Sequence, residues 1–146
     1  EYQEPYEMTK QWLDNNLIRY TLDNTSSYTM ENGYELTKDL VNSGEEFTAI
    51  YAISDSMAMG ACKALIDLGK QIPQDYSVVG FDGLEMSYYY NPSITTIRQP
   101  VEEMARETTK ILFDLINKDS TNQHRVFEGE LLKRSSTSKI NLVNNI

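Results

Sequence analysis

Two short apolar runs in this chain each end in a polar cluster, and these ends hold the residues best suited to chemistry. The first run closes on Ile53-Ser54-Asp55, the second on Phe81-Asp82-Gly83. A hydroxyl and two carboxylates can exchange hydrogen bonds with a polar ligand. Gly80 and Gly83 bracket Phe81-Asp82 and would let the backbone come close to such a ligand. Each residue also has a plainer role. Asp55 stands where a helix N-cap belongs, Asp82 could serve a turn, and Ser54 could be a small residue leaving a strand. No helix pattern starts directly after Asp82, so a ligand role suits it better than a cap.

Other reactive types form no catalytic set. His124 lies in a polar stretch with no recognisable serine or cysteine nucleophile beside it. Cys62 sits inside an apolar helical pattern and reads as a packing residue. The Asp and Glu residues show no spacing diagnostic of a carboxylate pair, and no GxxxxGK[ST] phosphate loop is present. One Cys and one His make a structural zinc site nearly impossible, so neither metal nor cofactor is expected. A lone Cys cannot form an internal disulfide, which points to the cytoplasm. Tyr88-Tyr89-Tyr90 could stack on a ligand, pack in a loop or meet a partner chain. The last suits best, because three consecutive tyrosines rarely all turn inward.

The elements that carry these residues follow from pattern. Residues 5–16 read as a short helix burying Trp12 and Leu13, residues 17–22 as a strand, and 23–29 as a loop. A helical stripe covers 30–42. EFTAIYAIS (46–54) is near-continuously apolar, as in a strand buried on both faces. A helix runs from Asp55 to about Leu68, stopped by Gly69 and Pro73. SVVGF (77–81) is a second buried strand, which completes a βαβ unit. Residues 82–93 form a loop with room for one helical turn, and ITTIR (94–98) is a third strand. Pro100 opens a helix to about Asn117, with Val101, Met104, Ile111, Leu112 and Leu115 on its apolar face. After the polar loop 118–125, VFEGELLKRSST (126–137) gives one or two strands, and KINLVNNI (139–146) a frayed tail or short strand. In such sheets ligands bind outside the carboxyl ends of the strands, and both polar clusters lie there.

Composition narrows the function. The chain has 146 residues, 40% of them hydrophobic, enough for one domain with a real core. With 13 Lys plus Arg against 22 Asp plus Glu, its net charge is −9. That argues against this segment gripping a phosphate backbone by itself. No run of about 18 apolar residues marks a membrane span, and the N-terminus carries no signal peptide.

IPQDYSVVGFDGLEMSYYYNPSITTIRQPVEEMARETTKILFDLI (72–116) closely resembles the signature of lactose-repressor-family transcription regulators, in which SVVGFD leads through a loop to TTI-x-QP and a helix. TAIYAISDSMAMGACKAL (48–65) is similar to the family's "sD-x-mA-x-G" strand and helix, and ELLKRSST (130–137) to its closing strand. Order and spacing agree, which makes the resemblance highly specific. It implies an α/β fold: a three-layer Rossmann-like lobe with a mostly parallel sheet, part of a type I periplasmic-binding-protein-like domain with its ligand between two lobes. Residues 1–93 would be the C-terminal lobe of this effector-binding domain. Residues 94–146 would supply the crossover strand, a helix belonging to the other lobe, and closing strands. The family's helix-turn-helix and most of its N-terminal lobe lie upstream of what is matched.

By the same resemblance, Asp82 matches the aspartate that holds effector hydroxyls, Ser54 a polar cleft position, Gln99 the cleft glutamine, and Tyr28 an aromatic that stacks on the effector. Met59, Tyr89 and Tyr90 would line a homodimer interface. The expected partners are a sugar or similar polar metabolite, a second copy, and an operator reached only through the upstream helix-turn-helix, with no membrane. The arginine that the family usually carries in an R-x-x-G-F segment is replaced here, Glu4 or Pro5 falling at its place. A solute-binding protein of a sugar transporter is the alternative, disfavoured by the TTIRQP–helix–LLKRSST tail. An enzyme on this fold is disfavoured by the missing catalytic set.

Overall fold

The computed structural model describes residues 27–117 and 124–139. The helix expected over 5–16, the strand over 17–22, Glu4 and Pro5, most of the 118–125 loop and nearly all of the tail lie outside the described residues. The elements follow in the order α1 (Met30–Asn42), β1 (Ala49–Tyr51), α2 (Asp55–Asp67), β2 (Ser77–Asp82), α3 (Glu85–Tyr89), β3 (Thr95–Arg98), α4 (Val101–Asn117) and β4 (Glu130–Leu132). The strands form one sheet in the order β1-β2-β3-β4. β1–β2 and β2–β3 are parallel, and β4 returns antiparallel on β3, with Thr96 opposite Leu132. The expected α/β class with a mostly parallel sheet stands.

α2 is the centre of the molecule. Met57, Ala58, Met59, Ala61, Cys62, Ala64 and Leu65 are all buried, so this helix is covered on most of its circumference. One side packs on β2, where Val78 joins Ile94 and the helix in one core cluster. The other side meets α1 at backbone distance. A Cβ at Gly33 would overlap the Met57 backbone, and one at Gly60 would overlap the Met30 carbonyl. α1 starts at Thr29, whose hydroxyl accepts from Asn32 N–H at 3.2 Å.

Two local expectations are corrected. The cap of α2 is Ser54, not Asp55. Ser54 keeps the extended backbone of a strand exit, and its Oγ accepts from Met57 N–H at 3.2 Å. Asp55 becomes the first helical residue and turns its carboxylate elsewhere. The 46–54 run yields only a three-residue strand, with Tyr51 53% and Ile53 50% exposed. β1 is an edge strand among the described residues and α2 covers one face of it, so alternate apolar side chains stay outside. The 126–137 segment, read as one or two strands, holds one, Glu130–Leu132.

The closing segment is instead held by hydroxyls. Ser136, fully buried, donates through Oγ to the Val78 carbonyl at 2.5 Å and accepts from Thr95 N–H at 2.8 Å. Its carbonyl accepts from Val78 N–H at 2.8 Å. Arg134 donates to Ser87 Oγ at 2.8 Å and to the Ile94 carbonyl at 3.0 Å. α4 contrasts with all this: none of its residues is buried.

Candidate functional site

The carboxyl ends of β1, β2 and β3 place the candidate residues along one rim. The β1–β2 register pairs Tyr51 with Val79, so continuing both chains brings Ser54 level with Asp82. β2 and β3 pair Asp82 with Arg98, and Gln99 follows at once.

Asp82 ends β2 with φ at 123°, a conformation that L side chains rarely adopt. Its carboxylate accepts from Gln99 Nε2 at 2.9 Å, and its carbonyl from Gln99 N–H at 3.3 Å. Burial pushes its carboxyl pKa up and the nearby Asp55 charge adds to the rise. The hydrogen bonds from Gln99 and from the Asp55 backbone oppose it. Gly83 continues the turn with φ at 77° and donates its N–H to Thr96 Oγ1 at 3.2 Å.

Asp55 lies beneath this turn, fully buried. Its Oδ2 accepts from Leu84 N–H at 2.7 Å. A side chain at Gly80 would collide with its Oδ1, which explains the glycine that the sequence places beside the cluster. Asp55, Asp82 and Gln99 therefore form one contiguous unit, with the cap Ser54 joined to it through the chain. Tyr28 stands apart. It is 59% exposed ahead of α1, and no hydrogen bond or ring contact among the described residues ties it to Asp82 or Gln99.

Tyr51 has no place in the sequence-derived set. It is half-exposed at the end of β1, and its hydroxyl pKa is raised by burial and by the Asp82 charge. Its place within an apolar run reads as core, which hides it. Met59 is corrected: at 4% exposed it belongs to the core cluster and has almost no surface to give a second copy. Tyr90 is half-buried and donates its hydroxyl to the Met59 carbonyl at 3.1 Å. Tyr88 and Tyr89 are 59% and 72% exposed and meet edge-on at 5.1 Å between ring centroids. Cys62 is fully buried, its thiol pushed up to about 12 by burial. His124 is exposed.

The rim joins a carboxylate, a carboxamide that can both donate and accept, and a hydroxyl. That set suits a ligand with several hydroxyl or N–H groups. A shallow cavity of about 340 Å³ opens beside Gln99, lined by Phe81, Ile97, Pro100, Met104, Phe127 and Gly129. No helix of the described residues is long and apolar enough to cross a membrane.

Comparison with known proteins agrees with this geometry. Residues 7–137 match the family model described as the periplasmic binding protein-like domain. The chain is 45% identical over 116 residues to the HTH-type transcriptional regulator MalR of Clostridium butyricum, covering 80% of this chain and 35% of that protein. Among solved structures, a LacI family transcriptional regulator from Enterococcus faecium with bound ribose is 30% identical. That match covers 90% of this chain and 49% of the other, with a TM-score of 0.77. The Lac repressor dimer bound to operator and the anti-inducer ONPF is 28% identical over 88% of this chain and 45% of its own, with a TM-score of 0.82. The chain thus spans about a third of the curated relative and about half of the solved ones.

Proposed function

Because the chain belongs to the periplasmic-binding-protein-like domain family, we propose that it is the C-terminal part of the effector-sensing domain of a LacI-family transcription regulator. In this reading the domain binds a sugar or similar polyhydroxylated metabolite and catalyses nothing. The carrying observation is the Asp82–Gln99 pair at the carboxyl ends of β2 and β3. Asp82 accepts ligand hydroxyls, Gln99 orients its carboxylate and adds its own donor and acceptor, and Ser54 lies on the same rim. Tyr28 would stack on the ligand once the cleft is complete.

The division at residue 93 belongs to the same proposal. β3 leads out of the lobe at Gln99-Pro100, α4 serves the second lobe, and β4 returns. The exposed pair Tyr88–Tyr89 faces a second copy of the chain. Operator binding falls to the helix-turn-helix of the complete protein, which acts in the cytoplasm. The acidic balance of −9 argues that the 146 residues alone do not bind a duplex specifically.

The test is ligand-dependent melting of the complete protein against D-ribose, lactose, cellobiose and free nucleobases. A ligand at 100 times its Kd stabilises by about 2.7 kcal/mol, readily seen as a higher Tm. No shift across the panel, or a catalysed conversion of a panel member, would overturn the reading. A transporter's solute-binding protein is the second reading, and an upstream lipoprotein signal in place of the helix-turn-helix would establish it.

A further inference from the structure

Asp55 is the only fully buried carboxylate among the described residues. Its position is a costly one. Oδ2 has one good partner, Leu84 N–H at 2.7 Å, while Oδ1 has no hydrogen-bond partner at all. An unsatisfied buried oxygen is unfavourable, so a residue kept there needs a reason. Capping is not that reason, because Ser54 Oγ already holds the Met57 N–H. Core packing is not it either, since an apolar side chain of similar size would pack with no orphaned oxygen.

What the Asp55 side chain supplies is a tie to the turn at Leu84, two residues beyond Asp82, next to the bond that Gly83 N–H makes to Thr96 Oγ1. Asp82 has φ at 123° and Gly83 at 77°. A non-glycine residue keeps such a backbone only where its surroundings impose it. Leu84, the next residue, is held by Asp55 Oδ2 on one side of the turn, and Asp82 is held by Gln99 on the other. Gly80 allows the arrangement, because any side chain there would displace the Asp55 carboxylate.

We infer that Asp55 is a positioning residue for the effector site: by holding Leu84 N–H it fixes the strained turn that aims the Asp82 carboxylate at Gln99. The consequence for ligand binding rests on the effector reading of Asp82, but the positioning itself needs no ligand.

The test is solvent exchange followed by NMR on the chain without any ligand, in the parent and in Asp55→Ala, Asp55→Asn and Gly80→Ala. The reporter is the Gln99 side-chain amide, whose hydrogen bond goes to the Asp82 carboxylate and not to the Asp55 side chain. Asp55→Ala is expected to speed its exchange about tenfold, while the backbone amides of Ala64 and Leu65 in the core of α2 keep their parent protection. Asp55→Asn keeps an oxygen for Leu84 N–H and is expected to restore slow exchange. Gly80→Ala keeps the carboxylate but displaces it, and is expected to reproduce Asp55→Ala. An unchanged Gln99 amide in both Asp55→Ala and Gly80→Ala overturns the inference. So does a uniform rise at Ala64, Leu65 and Gln99, which marks a merely structural role. If Asp55→Ala fails to fold, the contrast between Asp55→Asn and Gly80→Ala decides in the same way. Failure of every sugar to bind would sink the effector reading and leave this result standing.

Discussion

Asp82 and Gln99 hold each other twice, side chain to side chain at 2.9 Å and backbone to backbone at 3.3 Å. The double contact ties the exit of β2 to the exit of β3 and leaves a carboxylate and a carboxamide side by side on the rim.

If that carboxylate accepts effector hydroxyls, each hydrogen bond it makes is charge-assisted and worth roughly 1.5–3 kcal/mol. In the complete protein Asp82→Ala is therefore expected to weaken sugar binding about tenfold or more, at about 1.4 kcal/mol per decade. The fold is expected to survive, because Asp82 sits at a strand end outside the core cluster. Calorimetry with whichever sugar shifts the melting temperature measures it, and unchanged affinity removes Asp82 from the site.

Asp82 also makes stability depend on pH. Burial raises its carboxyl pKa above the ordinary value of 3.8, so the folded chain holds this proton more firmly than the unfolded chain does. The resulting penalty is absent below the ordinary carboxylate value. It grows as pH rises through the raised folded value and is complete above it. Asp82→Asn keeps an acceptor for Gln99 and removes the charge. It is expected to raise Tm at pH 7 by about 1–3 °C, a small effect because the group is only half-buried. The gain is expected to vanish near pH 3. A stabilisation that grows on acidification contradicts the sign.

Cys62 gives a cleaner readout of the core. Its thiol is fully buried and pushed up to about 12, so at pH 8 almost none of it is thiolate, the reactive form. Native protein is expected to show no labelling by a disulfide-exchange reagent over minutes and one equivalent after unfolding in denaturant. Rapid stoichiometric labelling of the native chain would show that α2 is not packed as described.

How far these features could be read from sequence depends on what each signal encodes. Helices 30–42 and 101–117, and the strand–helix–strand unit around α2, are visible because apolar periodicity and Gly/Pro stops are local properties. The place of Asp82 and Gly83 at the end of β2 is visible because a carboxylate and a glycine closing an apolar run mark a strand end. The assignment of the cap to Asp55 rather than Ser54 missed by one residue, since either side chain can cap and only the backbone decides. Tyr51 and Ile53 misled because an edge position, which β1 has among the described residues, leaves no local mark. Met59 misled because the backbone contact of α1 on α2 at Gly33 and Gly60, which fixes what is interior, joins distant segments. The hydroxyl bonding of Ser136 to β2 and β3 is equally non-local, and pattern reads its segment only as strand.

The exposed tyrosines bear on association. Tyr89 is 72% exposed and stacks edge-on with Tyr88, itself in reach of the Arg134 guanidinium at 5.4 Å. Tyr and Arg are the residues that interfaces concentrate. The complete protein is expected to sediment as a twofold dimer. Tyr89→Glu is expected to weaken the dimer by about 30-fold, the equivalent of a ~2 kcal/mol anchor. A parent protein that stays monomeric at high micromolar concentration places the tyrosines in another role.

The last expectation comes from α4. Val101, Leu112, Phe113, Leu115 and Ile116 are 63%, 56%, 59%, 44% and 65% exposed, an apolar stripe on a helix with no buried residue. Covering each such side chain is worth roughly 1.5–3 kcal/mol, so a partner that covered the stripe would add stability. In the two-lobed reading that partner is the N-terminal lobe, whose absence would also leave the rim of Asp82 and Gln99 open to water. A ligand held from one side forfeits the contacts of the other and the desolvation that strengthens both. The 146-residue chain is accordingly expected to bind sugar at least about a hundredfold more weakly than the complete domain, a difference near 2.8 kcal/mol. Titrating both proteins with the same sugar measures it. Equal affinities would mean that a single lobe forms the whole site and that the ligand does not lie between two.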